Sequence, residues 1–476
     1  MDINYGALAI VAGYILLLGV ISSLASSSVN SAGSFTSGHG KGHGTPSILI
    51  GLILMSEFIG TSTSVGTTQE AYKHGISAAW NVIALGLGFI VYAFLLARKY
   101  KESGENTISG IFAKAYGKRA RLATSLVMVF ALQIIAVATY AGGGAILSGL
   151  LGVNQTRATI VCGIIAVLYV CFGGMRSVIH TNIIHALMKY VSIGVALYFG
   201  LSQVGGHAGL HLRLEPHMFS WSHVGWAQIF AWFIAGMGAT FSTQYVIQAI
   251  STVGNPVKAQ VASFYSALFV IPFGIAVTIV GMTAKGLFPD IPSISAFSAL
   301  IGQMDSLTAG IVAAGLAASL FGTSAAISIA TATLLYKDVY RPFVSKAPAG
   351  AESAKDLTVV RCTTIVMGLL PIVFAIATPD ILKIVFLGKA LRTSLSVLVL
   401  FVFYAPGFGT RTGAPLSIFV SLIAVIGWFL AGNPFGIDNA YLAIGIPLVI
   451  MAMSEIYRRF TGKPAARPLA PNMGQE

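Results

Sequence analysis

The sequence predicts an all-α integral membrane protein with about 13 transmembrane helices. Its 476 residues are 56% hydrophobic and only 9% charged, which is too apolar for a soluble domain of this length. Long apolar stretches recur along the whole chain, and most approach or exceed the roughly 20 residues that a helix needs to cross ~30 Å of hydrocarbon. The predicted spans are 5–28, 46–66, 76–97, 122–150, 158–172, 178–202, 222–247, 260–284, 304–335, 362–378, 380–404, 413–431 and 438–457.

Positive charge falls almost wholly on every second connection between these spans. Of the 28 Lys and Arg residues, about 20 lie on one side, about 4 on the other and about 4 inside spans. The positive-inside rule therefore predicts a multi-pass protein of the cell inner (plasma) membrane with its N-terminus outside and its C-terminus in the cytoplasm. The net charge of +13 is explained by cytoplasmic loops that face anionic lipid, so no nucleic-acid partner is expected.

The chain is predicted to form one polytopic domain over residues 1–460, followed by a disordered cytoplasmic tail over 461–476. No connection is long enough to bury a core of its own, and the tail is rich in Pro and Ala. The first apolar segment lacks a basic n-region and a small-residue cleavage motif, so it is predicted to stay as a helix. Residues Gly38–Gly44 alternate glycine with His and Lys and are interpreted as a flexible linker, since no βαβ unit surrounds them.

Two predicted spans are rich in residues that would interrupt a simple membrane anchor. The second has Gly60 within it, followed by the hydroxyl-rich run Thr61–Thr68, and the seventh has Gly236 and Gly238 near its middle. The two lie five spans apart, as in transporters with inverted five-helix repeats, whose broken first helices bind ions and substrate through free carbonyls and helix ends. Close packing at glycine would explain either span alone, but the matched pair favours a transporter.

Four short motifs, in order along most of the chain, resemble those of the sodium:solute symporter family. They are Phe58-Ile-Gly60 with Ala71-Tyr-Lys-His-Gly-Ile-Ser77, the double-glycine tract Tyr169–Ser177 with Val178–His185, Gln244-Tyr-Val-Ile-Gln248, and Lys337-Asp-Val-Tyr-Arg341. The resemblance implies a LeuT-like fold of two inverted five-helix repeats, at about 46–202 and 222–404, with one helix before them and two after.

The resemblance also implies a sodium site, made in this family by carbonyls of the broken second helix and hydroxyls of the ninth. Alignment on Phe58-Ile-Gly60 gives Ile50 and Ile53 as the carbonyl donors, and counting back from the Lys337–Arg341 motif gives Ser319 and Thr323 as the ligands of the ninth helix. No cofactor is expected beyond the coupling ion, which is predicted to be sodium, with a proton as the alternative.

This chain departs from the family pattern at two places. Gly322 stands where a serine is usual, so one hydroxyl of the sodium site is missing. Ser324 is the alternative hydroxyl donor, although a side chain one residue after Thr323 points about 100° away from it on a helix. Asn182 replaces the acid expected in the sixth helix, with His180 and His185 in place of its Trp and Gln neighbours. A second sodium ion is therefore not expected, and the two histidines are interpreted as packing residues, with a proton relay as the alternative.

Four ionisable residues are predicted to lie well inside spans. Glu57 must be paired, protonated or close to water; the resemblance puts it at the central cavity, in contact with substrate, while a salt bridge or a proton-carrier role remain alternatives. Lys389 and Arg392 share one helical face, and with Lys189 they leave excess positive charge for an anionic solute such as a carboxylate. Alternatively, Lys389 and Arg392 snorkel or bond to helix-end carbonyls. The predicted substrate-binding residues are Ser56, Glu57, Thr61, Gly236, Gln244, Lys389 and Arg392.

The sequence therefore predicts a secondary active symporter that moves a small organic solute into the cell, coupled to sodium by alternating access. Its expected partners are the solute and the lipid bilayer. No metalloprotease, hydrolase or clustered metal-ligand motif is present, so an enzyme is not predicted. The alternatives are a proton-coupled symporter with Glu57 as the proton carrier and a non-transporting sensor or channel of the same fold.

Overall fold

The computed structural model describes residues 4–26, 32, 44–345, 354–377, 380–462 and 464–467. Across these ranges the chain is helical almost throughout, and β-type pairing is limited to an isolated bridge between Thr410 and Ala465. Ten helices in the described ranges are each long and apolar enough to cross a membrane. The prediction of an all-α membrane fold is confirmed, whereas the total of 13 spans stays a prediction.

We number the helices in chain order. The first half of the chain contains α1 (Tyr5–Ser26), α2 (Ser47–Phe58), α3 (Thr61–His74), α4 (Trp80–Leu95), α5 (Ala97–Glu102), α6 (Ile108–Tyr116), α7 (Lys118–Leu151), α8 (Gln155–Val170), α9 (Val178–Val204) and α10 (Gly206–Arg213). The second half contains α11 (Trp226–Ser242), α12 (Gln244–Ser251), α13 (Pro256–Leu287), α14 (Ala296–Ile301), α15 (Ser306–Leu334), α16 (Ala354–Ala375), α17 (Ile381–Tyr404), α18 (Gly413–Leu430) and α19 (Asn439–Thr461). A π-helical turn, Leu335–Tyr340, and a short α-helical turn, Arg341–Phe343, continue α15.

Helices α8 and α9 form a hairpin, although the backbone is helical by its hydrogen bonds from Gln155 to Val204. Tyr169 Oη donates to Thr181 Oγ1 at 2.6 Å, and the rings of Tyr169 and His185 lie 6.0 Å apart. In a straight helix Thr181 would lie about 18 Å along the axis from Tyr169. The chain therefore turns back between residues 170 and 178, where the double-glycine tract occurs; the side chains of 171–177 are outside the described part.

The second predicted span is broken at Ile59 and Gly60, between α2 and α3. Gly60 has extended backbone angles (φ −83°, ψ 178°) and lies directly against α15. A Cβ atom at Gly60 would lie 2.7 Å from Thr323 Oγ1 and 3.1 Å from Thr323 Cγ2. Glycine is therefore required here by the close approach of α15 rather than by an unusual φ.

The seventh predicted span is broken at Thr243, between α11 and α12, where the backbone is extended (φ −68°, ψ 130°). The break lies beyond the two glycines that suggested it. A Cβ at Gly236 would lie 3.0 Å from Ala84 of α4, and one at Gly238 would lie 2.3 Å from Thr393 Oγ1 of α17. These glycines serve close helix packing, and the hydroxyl-rich turn that follows them forms the break.

Helix α15 positions the first break because it is buried along almost its whole length. Its Ala-, Gly- and Ser-rich sequence allows α9, α7 and α1 to pack closely around it. Thr323 thereby reaches the gap between α2 and α3.

The tail predicted to be disordered from residue 461 is ordered at its start, which corrects that prediction. Ala465 bridges to Thr410, and the Arg467 N–H donates to the Ala115 carbonyl at 2.9 Å. Two backbone partners fix these residues despite their Pro- and Ala-rich sequence. Residues 468–476, like most of the predicted linker at Gly38–Gly44, lie outside the described part.

Candidate functional site

The last turn of α2 presents free carbonyl oxygens at the first break, because a helix leaves its final carbonyls without partners of its own. Glu57 O accepts a hydrogen bond from Thr323 Oγ1 at 2.8 Å, and Ser56 O lies 3.5 Å from the same hydroxyl. Phe58 O accepts from Thr63 Oγ1 at 3.0 Å. Together with Ile59 O and Ser56 Oγ, the carbonyls of Ser56 and Glu57 form an oxygen-lined pocket that we call the first-break cage.

The ammonium group of Lys189, on α9, occupies the first-break cage. Its Nζ atom donates to Ser56 O at 2.5 Å, to Ile59 O at 2.8 Å and to Ser56 Oγ at 3.1 Å. An ammonium group has three N–H donors, so all of them are used. The Lys189 side chain is 1% exposed, and the negative end of the α2 dipole favours a cation at this place.

A hydrogen-bond chain connects Lys189 to Glu57 without an ion pair. Ser56 Oγ donates to Asn182 Oδ1 at 3.0 Å, and Asn182 Nδ2 donates to Glu57 Oε1 at 3.4 Å. Glu57 Oε2 is buried with no hydrogen-bond partner among the described residues. A salt bridge of Glu57, one of the alternatives to a substrate contact, is absent from the ion pairs within 4.0 Å that the described residues form.

Ile50 and Ile53, the predicted carbonyl donors, lie before the break. Both lie in the unbroken part of α2, where the N–H groups one turn later take their carbonyls. The free carbonyls belong to Ser56, Glu57 and Ile59, because the break follows Phe58.

Of the predicted ligands on the ninth helix, Thr323 reaches the cage and Ser319 does not bond to it. Ser319 Oγ donates to Gly315 O in its own helix at 3.1 Å. Ser324 Oγ is buried without a hydrogen-bond partner in the described ranges, so it does not substitute for the missing hydroxyl of Gly322.

Gly322 faces the Lys189 ammonium directly. A Cβ built at Gly322 would lie 2.7 Å from Ser56 Oγ, 2.8 Å from Asn182 Oδ1 and 3.4 Å from Lys189 Nζ. A side chain at this position would compete for the space that these three polar groups occupy.

A second buried cation, Arg392 of α17, lies at the second break. Arg392 Nη1 donates to Thr243 Oγ1 at 2.7 Å and lies 3.5 Å from Tyr245 Oη, and its Nε donates to Gly388 O at 3.1 Å. The Arg392 carbonyl in turn accepts from Ser242 Oγ at 2.6 Å. Arg392 therefore links α17 to the second break.

Lys389, one turn before Arg392, is differently placed. It is 2% exposed, and its Nζ atom makes no hydrogen bond with any described residue. The ammonium group lies 4.2 Å from the ring centroid of Phe386, a cation–π contact that replaces only part of the lost hydration. Gln133 of α7 is likewise buried with both amide atoms unbonded among the described residues.

A cavity of about 450 Å³ opens above Phe386. It is lined by the ends of α3, α11, α17 and α19, and Glu70, Trp232 and Lys383 are among its residues. Trp232 stacks on Phe386 at 5.7 Å. Phe386 therefore lines the cavity and also contacts the Lys389 ammonium, whereas Lys389 itself is not a lining residue. Lys383 lies in the first turn of α17, with its Nζ atom 3.7 Å from Asp380 Oδ2.

The remaining residues predicted to bind substrate make contacts with other helices instead. Thr61 Oγ1 donates to Thr139 O on α7 at 2.5 Å, a partner that the sequence did not suggest. Gln244 Nε2 donates to Asn106 O at 3.0 Å, and its Oε1 accepts from the Ile108 N–H at 3.1 Å, so it links α12 to α6 away from the cavity. Gly236 packs on α4, as described above.

The two histidines differ in environment. His185 is buried between Tyr14 Oη at 2.6 Å and Tyr169 Oη at 3.2 Å, which is consistent with its interpretation as a packing residue. His180 is exposed.

The end of the bundle opposite the cavity is closed around Asp338, on the π-helical turn after α15. The buried Asp338 carboxylate accepts from Arg121 Nε at 2.5 Å, from Ser109 Oγ at 2.5 Å and from Ser125 Oγ. These bonds join α15 to α6 and α7 in one polar cluster, which we call the Asp338 cluster.

Two broken helices, each with a buried cation bonded at its break, are the arrangement of an ion-coupled membrane transporter with inverted repeats. The model of the sodium:solute symporter family matches residues 41–418. The chain belongs to this family, whose members are transporters and not enzymes.

Two solved structures share the fold. A Na⁺-coupled sialic acid symporter, in a substrate-bound outward-open state, matches with a TM-score of 0.80 at 16% identity over 97% of this chain and 98% of that one. Mhp1, a nucleobase-cation-symport-1 family transporter in a closed conformation with bromovinylhydantoin bound, matches with a TM-score of 0.60 at 15% identity over 90% and 95%. The LeuT-like fold is thereby confirmed.

The human high affinity choline transporter 1 is 23% identical over 240 residues, which cover 48% of this chain and 41% of that protein. The match therefore spans less than half the length of this curated relative.

Proposed function

We propose that this protein is a secondary active symporter that carries a small organic anion, a carboxylate, into the cell by alternating access. Membership of the family supports a small-molecule solute, sodium as the coupling ion and a multi-pass location in a membrane. Similarity to known proteins does not identify the solute, because the proteins named above, a choline transporter and a sialic acid symporter, are named for different solutes.

The observation that carries the anionic solute is the Lys389 ammonium, which has no hydrogen bond among the described residues and contacts Phe386, a residue of the cavity wall. Glu57 is the only negative charge among the four ionisable groups discussed for the buried centre, against Lys189, Lys389 and Arg392. Lys189 and Arg392 have their hydrogen bonds at the two breaks, so Lys389 is the cation left for a ligand. A solute carboxylate would supply the hydrogen bond and the charge that Lys389 lacks.

Alternating access is supported by the asymmetry between the two ends of the bundle. The cavity reaches inward from one end as far as Trp232 and Phe386, whereas the Asp338 cluster closes the other. Movement of the bundle around the two breaks would close the end with the cavity and open the end with the Asp338 cluster. The solute site would then be exposed to the opposite side of the membrane.

The orientation predicted from charge agrees with these positions. Arg121, at the Asp338 cluster, belongs to the cation-rich loops, and the C-terminal Arg467 pairs with Ala115 at the same end. We therefore assign the Asp338 end to the cytoplasm and the cavity to the outside of the plasma membrane. The N-terminus then lies outside, since Gly6 contacts Ser306 at the start of α15.

Solute counterflow into proteoliposomes tests the substrate class without any ion gradient. The purified full-length protein would be loaded with one compound at a time from a panel of small carboxylates, quaternary amines and neutral polyols. We expect saturable exchange of at least one carboxylate and none of the amines. Exchange of amines or polyols but of no carboxylate would contradict the proposed substrate class.

A further inference from the structure

We infer that the Lys189 ammonium is the resident cation of the first-break cage, beside Thr323, one of the predicted sodium ligands, so that this cage binds no sodium ion. The inference rests on the proposed function and concerns the cation at one of its sites. It is drawn from three features: the bonding of Lys189, the glycine at position 322 and the charges around the cage.

The bonding of Lys189 uses the oxygens that the cage offers to a cation. Ser56 O, Ile59 O and Ser56 Oγ accept the three N–H groups of Lys189 at 2.5, 2.8 and 3.1 Å. Thr323 Oγ1 donates its proton to Glu57 O, so it closes the same oxygen set from the side of α15. A tethered ammonium thus satisfies the unwound carbonyls that a free ion satisfies in transporters with broken helices.

Gly322 leaves room for the Lys189 ammonium group in the cage. The missing hydroxyl at this position would be a defect in a sodium site. A Cβ here would approach Lys189 Nζ to 3.4 Å and Ser56 Oγ to 2.7 Å, and a serine hydroxyl attached to it would extend further into the cage. Glycine therefore removes a ligand that an ammonium does not need and provides the space that the ammonium does need.

The charges around the cage also favour one cation rather than two. The groups that face Lys189 are Glu57 on α2, Asn182 and His185 on its own helix, and Thr323 on α15. Glu57 is the single acid among them, and it is linked to Lys189 only through Ser56 and Asn182. A sodium ion beside a charged Lys189 would place two cations on one carboxylate in a buried site, which is strongly unfavourable.

A simpler role for Lys189, as a cap on the C-terminus of α2, would explain its bonds and would need the same space at Gly322. The two alternatives differ in what happens when the lysine is removed. If Lys189 replaces an ion, a smaller side chain should allow sodium to enter; if it only caps a helix, the loss should destabilise the protein without producing an ion site.

The test is equilibrium binding of radioactive sodium to the full-length protein in detergent, with unlabelled sodium or potassium as competitor at matched ionic strength. The wild type, Thr323→Ala, Lys189→Ala and the double variant Lys189→Ala/Gly322→Ser would be compared. Lys389→Ala is the matched control, since it also removes a buried ammonium but lies outside the cage.

We expect the wild type to show no saturable sodium binding that depends on Thr323. We expect Lys189→Ala/Gly322→Ser to gain saturable, sodium-selective binding, and its combination with Thr323→Ala to lose that binding. Lys389→Ala should gain none. Sodium binding by the wild type that Thr323→Ala abolishes would overturn the inference, as would a folded double variant that binds no sodium.

The wild-type measurement can overturn the inference even where the Lys189 variants do not fold. Failure of the symporter proposal is recognised separately, because solute counterflow needs no ion gradient and no Lys189 variant. If solute counterflow is absent but sodium binding by the variants is as expected above, the inference about the cage is retained and the proposed transport is rejected.

Discussion

At the scale of single residues, Lys389 is the position where the structure leaves an interaction most clearly incomplete. A buried ammonium with one ring contact and no hydrogen bond among the described residues costs free energy that a bound anion would recover. We expect Lys389→Gln to raise the solute concentration at half-maximal counterflow by at least about tenfold, the equivalent of ~1.4 kcal/mol of lost binding. The maximal rate should fall less.

Lys383→Gln provides the control for this prediction. Lys383 lies on the same helix, but its side chain is 75% exposed at the rim of the cavity, so an unchanged half-saturation is expected. Equal effects of the two substitutions would indicate a general field of positive charge rather than a contact at Lys389.

The sequence identified the buried charges but not their partners. Lys189, Lys389 and Arg392 could each be recognised as cations in apolar stretches, because charge in a span is conspicuous. Which of them bonds to a break depends on the distances between helices far apart in the chain, as in the contact of Arg392 with Thr243. Gly322 was the sequence feature that could have indicated the role of Lys189. The loss of a hydroxyl ligand from the predicted sodium site suggests that a different cation is bound there.

At the scale of elements, glycine and hydroxyl content predicted which two helices are broken but not where. The first break occurs at Gly60 because α15 approaches there, and the second at Thr243, several residues after Gly236 and Gly238. Ile50 and Ile53, which a three-residue motif predicts as carbonyl donors, lie in the unbroken part of α2. The residue at which each helix breaks is fixed by contacts with other helices, and these contacts cannot be read from the local sequence.

The break itself can be tested at Gly60. We expect Gly60→Ala to destabilise the protein by about 1–3 kcal/mol and to lower counterflow, because the new Cβ would lie 2.7 Å from Thr323 Oγ1. Thr323→Ala in the same chain should restore part of the stability by removing that oxygen and the methyl group at 3.1 Å. Thermal unfolding in detergent, together with the double-mutant cycle, measures this coupling.

Gly427→Ala is the matched control, since a Cβ there meets nothing within 4 Å. It should be neutral or slightly stabilising because alanine favours a helix. Additive effects of Gly60→Ala and Thr323→Ala would mean that α15 does not approach the break as described.

At the scale of the whole molecule, the Asp338 cluster holds one end closed while the cavity opens at the other. We expect Asp338→Asn to weaken this closure, because it removes the charge that binds Arg121 and two serine hydroxyls. Backbone hydrogen exchange in α6 should become faster, and the free energy of unfolding should fall by about 1–3 kcal/mol.

Asp305→Asn is a suitable comparison for Asp338→Asn. Asp305 caps α15 through the N–H groups of Leu307 and Thr308, and asparagine caps a helix about as well. No change in α6 exchange is expected from it. A similar change in both variants would show that the Asp338 cluster has no special part in closure.

The most direct test of the account is concentrative uptake of the carboxylate found by counterflow, into proteoliposomes that contain only this protein. The account predicts saturable accumulation above the external concentration when a cation gradient, of sodium or of protons, is imposed. An ionophore that dissipates that gradient should abolish the accumulation. Flux that never exceeds equilibration under either gradient, or that rises linearly with solute concentration, would contradict it and indicate a channel.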